Sequence, residues 1–478
     1  MKAEYTQGNI AQKLLMTAVA MLASTLAMSG YNMADTFFVG QIGGEEPLAA
    51  MGYTFPVVML ICCIFHGFGG GCMTTMAQAL GRGDMDEASR IVTTGMQILL
   101  IISIALATIG ILSADFIFGL MGAKGNTLVL VKSYMNVWFM GCLTCSLALE
   151  CNKILIAAGK PRISSFMNML GMIINVVLDP LMIFGGETCL KHTLAHTPEA
   201  LHCIVRPVMS LFLFLEPNGI RGAAIATVIS QCVSAVSLVF ILYHLRLLRF
   251  QKLPWDTFFK TGRLIMTYGI PAMLSMLLFP IGNSITTWAT SHFGDVAVAG
   301  VAAANRLENI AFVLPMSFGI PLMPFIAQNY GAKLYSRVRF CFKFAVSFAF
   351  ITLNTAALIL FFWGKHIIVY FTPEPAVQEV MVHYMRIVPF GFAMIEIMRF
   401  SGFALVGCGY PIRDTILKCI RVCGIMIPMY FLTQYFHWYE GIFYSRLTTD
   451  LLGGAICFAV ACAMIHRLPK QDGVDAVR

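Results

Sequence analysis

Two aspartates sit in stretches otherwise apolar enough to cross a membrane. Asp35 lies in Met33-Ala-Asp-Thr-Phe-Phe-Val-Gly40, and Asp179 in Asn175-Val-Val-Leu-Asp-Pro-Leu-Met-Ile-Phe184. An acidic side chain at a helix centre costs about 2.5–3.5 kcal/mol on insertion scales, so each demands a chemical reason. Asn175 and Asp179, four apart, share a helix face. Pro180 has no N–H and frees a carbonyl in the preceding turn, most simply that of Val176. At 1.5 Å per residue, both aspartates fall about 8–9 Å short of their helix ends, Thr227 about 10 Å and Tyr134 about 9 Å into theirs. Four helices thus place polar groups in one layer. Two carboxylates, an amide oxygen, a hydroxyl and a free carbonyl form a hard, oxygen-only set, suited to Na⁺ or to a proton shared between carboxylates. Asn32 is a further supporting candidate. The competing readings are that Asp35 faces headgroups and that Asp-Pro simply ends its helix.

The elements that must hold these residues are membrane helices. Of 478 residues 58% are hydrophobic and 12% charged, half the charge of a soluble domain. Twelve spans are predicted, at 14–40, 53–77, 91–113, 128–157, 163–185, 220–243, 264–290, 307–328, 340–363, 381–406, 414–436 and 441–465, each about the length that crosses a bilayer. The first is too long for a signal peptide's apolar region and is expected to stay in place. The net charge of +8 is a topology signal rather than a nucleic-acid footprint. Lys and Arg, among them Lys13, Arg82, Lys153, Lys160, Arg249, Lys333, Arg337, Lys418, Arg421 and Arg467, fall at alternate connections and span ends, whereas the opposite loops hold only Lys124, Lys132, Lys191, Arg206 and Lys365. Basic loops stay in the cytoplasm, so both termini are expected there, in the inner membrane.

The chain also repeats itself. Phe68, Gly69, Met73, Ala77, Gln78 and Gly81 recur 250 residues on as Phe318, Gly319, Met323, Ala327, Gln328 and Gly331. Tyr134, Met135, Gly141, Leu155, Gly159 and Pro161 recur as Tyr384, Met385, Gly391, Leu405, Gly409 and Pro411. Six spans per copy keep the copies in one orientation, related by a pseudo-two-fold axis along the membrane normal, as in many secondary transporters. The expected division is an N-terminal lobe 1–245, a cytoplasmic linker 246–262 and a C-terminal lobe 263–478. Asn218-Gly219-Ile220 matches Glu440-Gly441-Ile442 at an offset of only 222, which marks an insertion at about 186–217 in the first copy. It holds Cys189 and Cys203, a disulfide candidate if the outside is oxidising, and His192, His196 and His202, a weak metal pattern. Val208–Leu215 is too short to span. Asp35 and Asp179 do not recur; Ile285 and Met429 stand at their equivalents.

In the second copy, Glu396 and Arg399 are three apart and can pair on one helix face. Arg306, Glu308, Asn305 and Asn309 open the predicted eighth span, where they line a cleft or cap the helix; Asn283 is a further cleft candidate. Few intramembrane cations are expected outside the Glu396–Arg399 pair. Gly67-Phe-Gly-Gly-Gly71 follows no strand and makes no dinucleotide site; Gly67 and Gly71 read as close-packing residues. Asp84 and Glu87 fit a capping box. Cys142-x-x-Cys145 lies inside a span, without the context of a zinc or redox motif. P-loop, HExxH and nucleophile-elbow signatures are lacking, so neither ATP-driven transport nor hydrolysis is expected.

Ala34-Asp-Thr-Phe-Phe-Val-Gly40, Gln78-Ala-Leu-Gly-Arg-Gly83, Asn175–Gly185 and Gly222-Ala-Ala-Ile-Ala-Thr227 together resemble the multidrug and toxic compound extrusion (MATE) family, in its bacterial and archaeal DinF-like branch. The resemblance covers essentially the whole chain. It implies an all-α fold of twelve helices in two six-helix lobes, and antiport of organic compounds against Na⁺ or H⁺. It places the cation at Asp35, Asn175, Asp179 and Thr227, with Tyr134 close by. The first span lacks the proline used for bending in some relatives, and the insertion is outside the usual pattern. The expected protein is a monomeric antiporter of amphiphilic, often cationic compounds in contact with lipid, without cofactor, nucleic-acid partner or enzymatic activity. A cleft rich in Met and Phe would suit such substrates. Asn283, Asn305, Glu308, Glu396 and Arg399 are its polar candidates. The rivals are a lipid-linked precursor flippase of the same superfamily and an intramembrane aspartyl protease; the latter's Gly-rich surroundings are absent here.

Overall fold

Within lipid every backbone polar group must find its partner in the chain, so long apolar segments fold as helices. The computed structural model describes residues 3–44, 46–196, 213, 215–249 and 254–472. In the first half a 3₁₀ turn, Glu4–Thr6, precedes α1 (Ile10–Gly40), α2 (Glu46–Gly81), α3 (Met85–Leu120), α4 (Gly125–Met140), α5 (Cys142–Ala157), α6 (Pro161–Phe184), α7 (Gly186–His196) and α8 (Ile220–His244). The second half runs α9 (Trp255–Ser291), α10 (Asp295–Gly331), α11 (Tyr335–Ile368), α12 (Pro375–Ile387), a 3₁₀ turn Val388–Gly391, α13 (Phe392–Gly407), α14 (Pro411–Cys419), a π segment Ile420–Met426, α15 (Ile427–Tyr435) and α16 (Gly441–His466). Among the described residues, eleven helices or helix runs are long and apolar enough to cross a membrane, and α4 with α5, bent by 52°, makes the twelfth span.

The repeat predicts where the helices break. The fourth span bends at Gly141, and its counterpart breaks at Val388–Gly391, where Pro389 withholds an N–H. Asp84 caps α3, its Oδ1 accepting from the Glu87 N–H at 2.8 Å. Two expectations differ from the structure. The eighth span begins at Asp295, because 295–306 is Ala/Val-rich and continues the helix; Glu308 therefore lies thirteen residues in and caps nothing. Helix α9 begins at Trp255, so the connector is shorter than 246–262. Part of the insertion is ordered as α7, which carries His192 and His196. The side chains of both, together with His202, Cys203 and 208–212, lie outside the described residues. Cys189 Sγ donates to the Pro180 carbonyl at 3.1 Å.

The halves meet at the end bearing the basic loops, and they do so reciprocally. Gln78 Nε2 donates to the Gly407 carbonyl at 3.0 Å, and Gln328 Nε2 to the Ala157 carbonyl at 2.6 Å. Ala157 and Gly407 are the last residues of α5 and α13, whose carbonyls have no intrahelical donor. Each lobe thus caps a helix of the other. A Cβ on Gly81 would stand 2.1 Å from the Gln328 carbonyl oxygen, and one on Gly331 would stand 2.2 Å from that of Gln78. Farther in, Gly67 lies against the backbone of Met273, the close approach expected of a small residue. Hydrogen bonds between the lobes continue to Cys63 with Met276 and Ser317 with Thr25. Beyond these, α2 and α9 carry exposed residues such as Phe55, Phe279 and Trp288. The interlobe hydrogen bonds named above lie between the basic-loop end and the middle of α2 and α9.

The N-terminal turn is wedged into this seam. Tyr5 is buried, its hydroxyl donating to the Ile156 carbonyl at 2.8 Å and its N–H to Gln328 Oε1 at 3.0 Å. Its carbonyl accepts from Asn329 and Arg337, and its ring stacks on Phe325 with centroids 4.7 Å apart. Glu4 pairs with Lys160. Tyr5→Ala removes one buried hydrogen bond and one aromatic pair, together worth roughly 2 kcal/mol. Amide exchange of residues 153–160 and 325–332 is expected to accelerate about 30-fold; unchanged protection would mean that Tyr5 does not hold the seam.

Candidate functional site

Asp35 lies five residues before the end of α1, and Asp179 five before the end of α6. The matched depths bring their carboxyl groups together. Asp35 lies close enough to Asp179, Asn175 and Thr227 to interact electrostatically with them, and Asn175 Nδ2 donates to Asp179 Oδ1 at 3.1 Å. All four are buried, Asn175 and Asp179 completely. Tyr134 is buried beside them and close enough to interact electrostatically with both carboxylates. Helix α6 continues through Pro180 to Phe184, so Asp-Pro does not end it. The Asn32 side chain lies outside the described residues.

Four oxygens of this group are buried with no hydrogen-bond partner among the described residues: Asp35 Oδ1, Asn175 Oδ1, Asp179 Oδ2 and Thr227 Oγ1. Among the described residues no Lys, Arg or His forms an ion pair with either aspartate. Buried acceptors without donors are costly, and two carboxylates side by side more so. Two remedies fit a set in which acceptors outnumber donors. One is a proton held between the carboxyls; the other is a small hard cation ligated by both carboxylates, the amide oxygen and the hydroxyl.

The MatE family model matches residues 20–181 and again 271–432, one stretch in each half. The chain belongs to the MATE family. It is 28% identical over 455 residues to the FAD transporter of Shewanella oneidensis, covering 95% of this chain and 94% of that one. It is 22% identical over 469 residues to the multidrug export protein MepA of Staphylococcus aureus, covering 96% and 94%. Among solved structures, the Vibrio cholerae MATE transporter VcmN superposes with a TM-score of 0.84 at 23% identity, covering 95% of this chain and 97% of that one. A MOP-superfamily transporter from Pyrococcus furiosus superposes at 0.83 and 20%, covering 98% and 99%. The protein is therefore an integral membrane transporter with the twelve-helix, two-lobe MATE fold, and not an enzyme.

The second lobe of this MATE chain holds more charge than expected. Glu396 and Arg399 do pair, at 2.5 Å. Asn305 and Glu308 are not loose cleft residues; Glu308 accepts from the Tyr384 hydroxyl at 2.6 Å and from Arg446 at 3.0 Å, and Asn305 lies 3.2 Å from the same hydroxyl. Arg446 also reaches Asp450 Oδ2 at 2.9 Å, and Arg421 pairs with Asp450 Oδ1. Asn283 is exposed and apart from this cluster. The expectation of few intramembrane cations is thus corrected. Arg421 belongs to the π segment within the span rather than to a basic loop, where Pro428 cannot donate back to the preceding turn. Lys153 likewise points inward, donating to the His66 carbonyl at 2.8 Å near the buried Glu150. The Arg446–Asp450 spacing of four was the signal available in the sequence. Glu150 gave none beyond its place in an apolar span.

Proposed function

We propose that this chain is a secondary antiporter that exports an amphiphilic organic compound in exchange for Na⁺ or H⁺ by alternating access. It would act as a monomer in the inner membrane, both termini cytoplasmic, with lobes bounded near 1–245 and 263–478. The observation that carries the reading is the buried Asp35–Asp179 pair with its donor-starved oxygens. A cation entering from the end away from the basic loops would cancel one charge of the pair and draw α1, α6 and α8 together. That differential stability is what drives release on one side and reopening on the other. The MepA relatives support multidrug export as the substrate reading. A flavin dinucleotide is the second reading, favoured by the more similar relative named as an FAD transporter.

The test is transport in proteoliposomes of a lipophilic organic cation and of FAD, with the Na⁺ and pH gradients collapsed separately. Collapse of one gradient is expected to stop export, and the competing substrate identifies the cargo. Export indifferent to both gradients would defeat the coupling reading. Competition only by a lipid-linked precursor would favour the flippase.

A further inference from the structure

We infer that the Asp450 cluster is the second lobe's copy of the carboxylate site, with Arg446 built in where the first lobe takes up its cation. This rests on the proposed role of Asp35 and Asp179. The repeat offsets carry the first site onto the second. Tyr134 corresponds to Tyr384 and Thr36 to Thr286; Pro180 corresponds to Tyr430, whose hydroxyl lies 3.2 Å from Thr286 Oγ1. At the offset of 222 set by the insertion, Thr227 corresponds to Thr449, next to Asp450. Arg421 stands on the counterpart of α6, and Tyr384, Arg446 and Asp450 on the counterparts of α4 and α8. The four helices that frame the first site carry polar groups in the second lobe too, joined there by Glu308 from α10, the counterpart of α2.

The charges differ. The first site has two carboxylates and, among the described residues, no cationic side chain bonded to them. The second has two carboxylates, Glu308 and Asp450, and two guanidiniums, Arg421 and Arg446, in direct contact. All four are largely buried, Asp450 entirely so. A guanidinium does not lose its proton in a protein. It supplies permanently the charge that Na⁺ or H⁺ supplies reversibly. Arg446 bridges both carboxylates, the position a coupling cation would take. The second cluster is therefore neutral at every stage of the cycle, and the response to a gradient is confined to the first site. Removing the Arg446 charge leaves the cluster one negative charge in excess, among oxygens of Glu308, Asp450, Asn305 and Tyr384 that can hold a hard cation or a proton.

Purified full-length protein tests this by counting bound cations, with radioactive Na⁺ and with potentiometric proton titration. Arg446→Gln is expected to bind one more cation, Na⁺ or H⁺, than the native chain. The extra cation is expected to persist with Asp35→Asn/Asp179→Asn and to vanish with Glu308→Gln. Arg446→Lys, which keeps the charge, is expected to restore the native count. A folded Arg446→Gln protein with the native count would overturn the proposal. A second measurement does not depend on that variant folding. The Asp35→Asn/Asp179→Asn protein is expected to hold no coupling cation, and a residual cation that Asp450→Asn removes would place a native cation beside Arg446 and equally overturn it. A residual cation untouched by Asp450→Asn would instead count against the first-lobe reading, leaving the Arg446→Gln arm to decide the second.

Discussion

Asp179→Asn is expected to abolish gradient-driven export while leaving the protein inserted and at least as resistant to heat as the native chain. The amide keeps the shape and removes one charge. If the coupling ion is a proton, Asn cannot carry it and coupling is lost outright. If it is Na⁺, loss of one charged ligand costs about 1.5–3 kcal/mol, weakening cation binding roughly 10- to 150-fold. The same result is expected for Asp35→Asn, and the double variant should be little worse than either single one, because the two act as a unit. Heat resistance separates this from a structural role. Breaking a buried salt bridge destabilises a fold by several kcal/mol, whereas removing one of two like charges relieves repulsion. Export in proteoliposomes and thermal unfolding of the same preparations are the measurements. Unchanged export in both single variants would sink the assignment, and a large drop in thermal stability would make these residues structural.

Much of this arrangement was legible in the sequence because it rests on one-dimensional rules. Spans follow from apolar length, and the common depth of Asp35 and Asp179 from counting rise per residue. The repeat, read as equal spacing, turned out to mark the seam itself: Gln78 and Gln328 each cap a helix of the opposite lobe, and Gly81 and Gly331 each make room for a carbonyl there. What stayed hidden were charges neutralised by partners distant in sequence. Glu308 and Arg446 are 138 residues apart, and neither tells of the other until α10 and α16 pack. Arg421 looked like a loop residue because basic residues near a span end usually are; its buried place depends on Asp450, 29 residues on. Tyr5 was unreadable for a similar reason, since its partners lie in both lobes.

In the proposed cycle, closure at the seam is as consequential as the proposed cation site, because alternating access needs two end states of similar stability. Gly81→Ala and Gly331→Ala attack one of those states alone. Each new methyl would sit 2.1–2.2 Å from a carbonyl oxygen of the opposite lobe, well inside the C···O contact of about 3.3 Å. The oxygen belongs to the backbone of α2 or α10, so relief comes only by moving the lobes apart. Overpacking of this kind costs about 1–3 kcal/mol per site. With both substitutions the joined state loses about 2–6 kcal/mol, roughly 30-fold to more than 10⁴-fold in population. The double variant is expected to export at a few per cent of the native rate or less. Its amides at 3–13 and 325–332 should exchange fast in the absence of substrate, while cation binding at Asp35 and Asp179 persists. Retained cation binding is what distinguishes it from Asp179→Asn, which loses coupling with the seam intact. Native export together with native exchange at the seam would mean that the Gly81–Gln328 approach is not part of the cycle.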